Sequence, residues 1–387
     1  MISYRLDDDH EALRASVEEF AREVVAPVIG DLYERGEFPY EIVARMGKMG
    51  LFGLPFGEEY GGMGGDFLAF CLAVHELARV DSSVAVTLEA GVGLGAMPLY
   101  RFGAEEQKQR WLPALCAGDR LAAFGLTEPG GGSDVPGGMR TTARLEDGQW
   151  TIDGSKAFIT NAGTSITDLV TITAITGRRP DGGKEISTII VPAGTPGMTV
   201  GQKYSKVGWS ASDTRELSFS SCRVPEDHLL GERGRGYAQF LTILDEGRVA
   251  IAALSAGLAQ GCVDECVRYA SQREAFGSPI GAYQAIQFTI ADMEARAATA
   301  RLAWLHAAAA ATAGEPFKRE AAIAKLTASN AAMDNARDAT QVFGGYGFMN
   351  ESAVGRFYRD AKILEIGEGT SEVQRMIIAR ELGLPRA

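Results

Sequence analysis

The chain of 387 residues is 46% hydrophobic and 23% charged, a composition that supports a sizeable buried core spread over two or three structural parts. Its 38 basic against 50 acidic residues leave a net charge of −12, which argues against nucleic acid or an anionic membrane surface as the main partner and leaves room for a local basic pocket for a phosphorylated ligand. The five cysteines, Cys71, Cys116, Cys222, Cys262 and Cys266, are scattered; they show neither zinc-site pairing nor a secreted disulfide framework, so a reducing cytoplasm is expected.

The opening MISYRLDDDHEALR is charged from the start and does not read as a signal peptide, and no apolar run is expected to reach the ~20 residues of a membrane span. Residues 1–120 carry the helical period, as in HEALRASVEEFAREVVAPVI, where Leu13, Val17, Phe20 and Val24 recur every three or four positions. Pro27, the region of Pro39 and the cluster EEYGGMGG interrupt it. The stretch DSSVAVTLEAGVGLGAMPLYRFG then resumes as a small-residue helix that another element can approach closely. In residues 121–232 the runs WTIDG, DLVTITAI, ISTIIVP and RELSFSSC, separated by turn residues, predict short strands in a compact antiparallel sheet or barrel. The helical period returns over 233–387, with Ile251, Leu254, Leu258 and Cys262 on one stripe and Ile286, Ile290 and Met293 on another. The expected fold is mainly α with a central β domain: N-terminal helices, a middle antiparallel sheet and an alanine-rich helical bundle.

Several glycine-rich stretches punctuate this order. FGLTEPGGGSDV, 124–135, offers backbone amides and hydroxyls suited to a polar, anionic or heteroaromatic ligand, and reads equally as a plain loop. KAFITNAG, 156–163, is a strand end and turn; QREAFGSPIGAYQAIQ, 272–287, is a helix hairpin whose Arg273 could face a pyrophosphate; QVFGGYGF, 341–348, is a second such break. In EIGEGTSEVQR, 365–375, Glu368 stands between Gly367 and Gly369, and Ser371 with Gln374 reads as a capping box for the helix after it. No Walker loop, G-x-G-x-x-G, H-E-x-x-H or G-x-S-x-G occurs, and His10, His75, His228 and His306 lack ligand spacing, so a zinc or serine hydrolase is not expected.

Taken in order, these five motifs, with GLFGLPFGEEYGG and FGAEEQKQRWLPALCAGD before them, resemble the acyl-CoA dehydrogenase family of flavoproteins over nearly the whole chain, and LDEGRVAIAALSAGLAQ is most similar to its short-chain, butyryl-type branch. The resemblance implies a C-terminal four-helix bundle, noncovalent FAD, an acyl-CoA substrate, an electron-transfer flavoprotein as partner, and a homotetramer built as a dimer of dimers. It places Phe124, Leu126 and Thr127 around the flavin ring, with Ser133 near the cofactor and the thioester arm. Phe158, Ile159 and Thr160 would lie against the flavin. Arg273, Phe276 and Gln284, with Gln341, Val342, Phe343, Gly344 and Gly345, would hold the pyrophosphate and adenosine of a neighbouring subunit's FAD, and Thr370, Ser371 and Glu372 would add further contacts. Asp245, Glu246, Gly247 and Arg248 match the segment along the substrate arm, flanked on the other side by Gly367 and Gly369.

Glu368 occupies the position of the family's base, which removes the proton beside the thioester carbonyl while a hydride leaves the β-carbon for flavin N5. The isovaleryl-type branch instead carries its base where this chain has Gly247, which favours Glu368 here, and Glu246 is expected on the helix surface. Glu89 is expected to face solvent, the acyl pocket being the alternative. Two positions depart from the family pattern: Gly367 replaces a common tyrosine, opening space beside the base for a branched or bulky acyl group, and Ala275 replaces a threonine that touches the pyrophosphate in some relatives. Competing readings are an oxidase or other oxygen-using flavoenzyme of the same fold, and a noncatalytic acyl-CoA-binding scaffold. An acyl-carrier-protein thioester remains an alternative substrate.

Overall fold

The computed structural model describes residues 6–385; the first five residues of the charged opening segment lie outside it. Acidic caps start three of the N-terminal helices, their oxygens accepting amide protons that no helical carbonyl can reach. Asp7 accepts from His10 N–H at 2.9 Å, Asp66 from Ala69 at 2.8 Å, and Asp81 from Ser83 and Val84 at 2.9 and 3.1 Å. The Ser82–Glu89 helix continues without a break through a π-helical stretch, Ala90–Ala96, into Met97–Phe102. Gly95 lies so close to strand β1 (Leu121–Gly125) that a Cβ there would collide with the Ala122 carbonyl.

Among the described residues, two helices are long and apolar enough to cross a membrane, contrary to the expectation of no such run: Ser82–Phe102 and Gly236–Gln272, of mean hydropathy 1.3 and 1.2. Both are core helices, with 94% and 83% of the apolar window buried inside the protein.

The middle part is one sheet of strands β1, β2 (Thr142–Glu146), β3 (Gln149–Thr160), β4 (Thr167–Arg178), β5 (Lys184–Pro192), β6 (Met198–Val200), β7 (Thr214–Pro225) and β8 (Leu229–Leu230). They run β6-β7-β3-β2-β4-β5-β8, with β1 beside β4. The sheet is antiparallel except where β4 meets β1 and, at the single pair Thr142↔Ile175, β2; both pairings are parallel. Alternating residues, Trp150, Ile152, Ile172, Ile189, Leu217 and Val224 among them, fill its core. A bulge between Lys156 and Ile159 interrupts the β3–β7 ladder and turns Phe158, at φ +62°, outward to 65% exposure.

The C-terminal part is built on Gly236–Gln272, which packs against Phe67–Ala78, Gln284–Thr312 and Lys318–Phe343. Gly257 and Gly261 on one of its faces let it close onto the backbone of the first of these, at His75 and Arg79. The stripe Ile251, Leu254, Leu258 and Cys262 is buried, as the periodicity requires, and all five cysteines are buried thiols. Asp360, on the Ala353–Leu364 helix, joins the three parts: it accepts from the Tyr33 hydroxyl, the Ser82 hydroxyl and the Trp209 backbone N–H, each at 2.6 Å.

Candidate active site

The turn carrying Glu368 is held from below. After the Ala353–Leu364 helix, Gly367 N–H returns to the Ile363 carbonyl at 2.7 Å and Ser371 N–H to Glu365 at 3.0 Å. Glu368 and Gly369 both take left-handed backbone angles, φ +50° and +93°; in a glutamate this conformation costs on the order of 1 kcal/mol and persists only where its surroundings enforce it. Two buried side chains enforce it. Lys325 Nζ donates to the Gly369 carbonyl at 2.8 Å, and Gln374 Nε2 donates to the carbonyls of Gly369 and Glu368 at 2.8 and 3.3 Å. Gln374 is therefore a clamp on the turn and not half of a capping box. Thr370 caps the Ser371–Glu381 helix, accepting from Val373 N–H at 3.3 Å, while the Ser371 hydroxyl is buried without a partner and Glu372 is exposed.

The Glu368 carboxylate extends from this turn onto the Gly236–Gln272 helix at Gly247. A Cβ built on Gly247 would overlap Glu368 Oε2 and stand 3.0 Å from its Cδ, so the absent side chain is the space the carboxylate fills. Oε2 is buried and has no hydrogen-bond partner. Burial drives the Glu368 pKa up to about 7, against the pull of the Glu89 hydrogen bond and the positive charges of Arg248 and Lys325. Burial in turn lowers Lys325 to about 8, partly offset by the charge of Glu368.

Glu89 corrects the expectation of a solvent-facing residue: it is 1% exposed and its carboxyl lies against that of Glu368. A single acid in an apolar helix gives no sign in sequence of the carboxyl it will meet. Burial, then the Glu368 charge, push Glu89 well above the usual carboxylate range. Glu246 is also buried, contrary to a place on the helix surface, with Oε1 ion-paired to Arg101 Nη2 at 2.5 Å and Oε2 without a partner. Its pKa too is raised by burial. Arg248, buried beside Gly247, pairs with Asp245.

The other predicted residues form two separate groups. At the sheet, Phe124 stacks on Phe240 with ring centroids 3.9 Å apart, and Leu126 is buried in a small cluster with Val135, Met139, Ile186 and Phe240. Thr127 and Thr160 are half-buried, Phe158 and Ser133 exposed; Ile159 points into the sheet core, so only its backbone is free to meet a ligand. A buried ion pair that motif reading missed, Lys156 to Glu128 at 2.8 Å, braces this turn, with Glu128 also accepting Arg140 N–H at 2.6 Å.

At the bundle end, Arg273, Val342, Phe343, Gly344 and Gly345 line a hollow of about 520 Å³ together with Tyr269, Ile280, Tyr346 and Met349. Phe276 lies at the tip of the adjoining 274–279 hairpin, 98% exposed, and Gln284 and Gln341 are exposed beside it in sequence. The hollow suits a dinucleotide's pyrophosphate and adenosine. Arg273 makes no ion pair among the described residues, it stands 5.8 Å from the Tyr346 ring, and Gly344 and Gly345 present bare backbone with nothing within 4 Å of where a Cβ would be.

Helices, sheet and helices in this order bury acids between the first and last parts and leave a cationic, glycine-lined hollow apart from them. The N-terminal, middle and C-terminal domains of acyl-CoA dehydrogenase match residues 7–119, 123–222 and 234–383. A probable acyl-CoA dehydrogenase of Bacillus subtilis (strain 168) is 45% identical over 98% of this chain and 100% of its own length. The structure of butyryl-CoA dehydrogenase from Megasphaera elsdenii superposes with a TM-score of 0.94 at 40% identity, covering 98% of this chain and 99% of that one. A chain from structural work on the electron transferring flavoprotein of Acidaminococcus fermentans gives the same TM-score, identity and coverages. The chain belongs to the acyl-CoA dehydrogenase family, whose members are FAD-dependent oxidoreductases acting on acyl-CoA.

Proposed function

We propose that this chain introduces an α,β double bond into a short-chain or branched acyl-CoA thioester, with Glu368 as the base that removes the α-proton. The observation that carries this reading is the Glu368 carboxylate itself. It is held on a strained turn, lodged against Gly247, with a buried oxygen that has no partner and a pKa raised to about 7. A carboxylate so placed is a stronger base than one in water, and near neutral pH it is ionised often enough to act.

The residues present fit FAD. Thr127, Thr160 and the backbone of 124–127 and 158–160 would hold the flavin ring, and Arg273 with Gly344 and Gly345 would hold the pyrophosphate and adenosine of a second subunit's cofactor. FAD, when bound, supplies the acceptor for the β-hydride. The Glu368 backbone N–H would donate to the thioester oxygen as the enolate develops, and Asp245, Arg248 and Ser133 would line the arm. The open space beside Gly367 supports a branched or bulky acyl group. Taking the domains as 1–120, 121–232 and 233–387, the exposed Phe276, Phe288, Tyr346 and Phe348 of the last one would be covered in a homotetramer. The similarity to the Acidaminococcus chain supports an electron-transfer flavoprotein as acceptor, and the charge and reduced cysteines support a cytoplasmic setting.

Anaerobic mixing of the FAD-loaded protein with straight, branched and aromatic acyl-CoAs tests the proposal. One class should bleach the flavin, and Glu368→Gln should slow that bleaching by about 10³-fold or more. Bleaching that survives the substitution would move the base elsewhere, with Glu246 the next residue to replace.

A further inference from the structure

Glu89 ends the Ser82–Glu89 helix where it widens into the π-helical Ala90–Ala96 segment. Its carboxyl lies against that of Glu368, and its Oε1 is buried without a partner, 3.3 Å from where a Cβ on Gly93 would lie and beside the Phe70 ring that borders the same glycine.

This is poor chemistry for a purely aliphatic acyl chain. A hydrocarbon group that entered beside Glu368 and expelled water would leave Oε1 of Glu89 unmet. It would also part Glu89 from the Glu368 carboxyl beside it once Glu368 turned to the substrate. An acyl chain carrying its own hydrogen-bond donor removes both penalties. Sites built to meet a substrate hydroxyl or amine discriminate steeply against the analogue that lacks it, since the protein's polar group is then left alone.

We propose that Glu89 is a substrate contact that makes this a site for acyl thioesters whose chain bears a hydrogen-bond donor, hydroxyl or ammonium, on the carbons just beyond the reacting pair. The inference rests on the α,β-dehydrogenation reading and narrows its substrate class.

Stopped-flow anaerobic reduction of the FAD-loaded protein tests it with two size-matched pairs: 4-hydroxybutyryl-CoA against pentanoyl-CoA, and 5-aminopentanoyl-CoA against hexanoyl-CoA. The concentration dependence yields the dissociation constant separately from the bleaching rate. Wild type should favour the donor-bearing member of at least one pair by tenfold or more in rate over Kd, with the difference visible in Kd. Preference in the hydroxyl pair alone identifies a neutral donor; preference in the amino pair alone identifies a cation facing an ionised Glu89. Glu89→Leu should abolish or invert the preference, whereas Glu89→Gln should retain it for hydroxyl and lose it for ammonium. If Glu89→Leu does not hold FAD, wild type and Glu89→Gln decide the matter. Equal or better use of the aliphatic member of both pairs by wild type, or a preference that Glu89→Leu or Glu89→Gln leaves unchanged for both donors, overturns the inference. Bleaching by pentanoyl-CoA without preference leaves the dehydrogenase reading intact; bleaching by no thioester removes both.

Discussion

Gly247→Ala separates stability from activity at a single methyl group. Gly247 lies in the middle of the Gly236–Gln272 helix with ordinary helical angles, so alanine there raises helix propensity by about 1 kcal/mol and adds apolar surface to a buried position. The methyl carbon would overlap Glu368 Oε2 and lie 3.0 Å from Cδ, where carbon atoms rest at about 3.5–4.0 Å. The carboxylate must therefore retreat by roughly 1 Å, and a misplacement of that size costs about 10²-fold in rate. The turn beneath has little freedom to absorb the movement, because Lys325 and Gln374 fix both carbonyls at its centre. Bleaching by the best acyl-CoA should fall about a hundredfold while the melting temperature stays level or rises and FAD content is unchanged. A variant that bleaches within threefold of wild type would refute the placement of the base against this glycine. A drop in melting temperature that tracks the loss of rate would show that the helix, not the base, had been damaged.

The pH dependence arises from the same acid. Glu368 must be ionised to accept a proton, so bleaching by the substrate-free enzyme mixed with acyl-CoA should rise as pH passes through about 7. Stability runs the other way: the folded state keeps a proton that the unfolded chain releases near the ordinary value of 4.5, so stability falls as pH climbs from there to about 7. Relative to Glu368→Gln, wild type should lose on the order of 3 kcal/mol between pH 5 and pH 8, read from denaturant midpoints at each pH; parallel midpoints would contradict the buried assignment. Lys325→Met removes both the donor to Gly369 and a charge that favours ionised Glu368, so the bleaching pH midpoint should move upward and the plateau rate fall. A rate loss with an unmoved midpoint would limit Lys325 to holding the turn. Asp360→Ala leaves Tyr33, Ser82 and the Trp209 amide without their acceptor and should cost about 3 kcal/mol or more in thermal or denaturant unfolding.

The order of helices, sheet and helices was legible because each type writes its own period: the stripe at Ile251, Leu254, Leu258 and Cys262 is buried, and the Val, Ile and Thr runs lie in strands β3, β4, β5 and β7. The direction of pairing was not. LAAFG at 121–125 carries no mark that it will lie parallel to β4, since alternation records which face is buried and not which neighbour runs beside it. At the site, the two glycines around Glu368 signal an unusual turn locally, and the turn does take left-handed angles. Gln374 drew attention for the wrong bond, because a glutamine near a helix start has the same spacing whether it caps the amides or grips the carbonyls behind them. Glu89, Lys325 and the Lys156–Glu128 pair are charged residues with ordinary neighbours, and their burial is created by segments far away in the chain.

The wide π-helical turns of Ala90–Ala96 hold an extra residue over the α-helical path. Deletion of a single residue within them would return the segment to α-helix and rotate its N-terminal flank by about 100° against its C-terminal flank. The C-terminal flank is pinned by Gly95 against strand β1, and the N-terminal flank begins at the Asp81 cap and the Ser82 bond to Asp360. The rotation would therefore fall on the turn that carries Glu89 and swing its carboxyl away from Glu368. A length change of one codon thus adds an acid to this site or withdraws it with every catalytic side chain left in place, which makes the length of the 90–96 segment as informative about a relative's substrate as the identity of any residue in it.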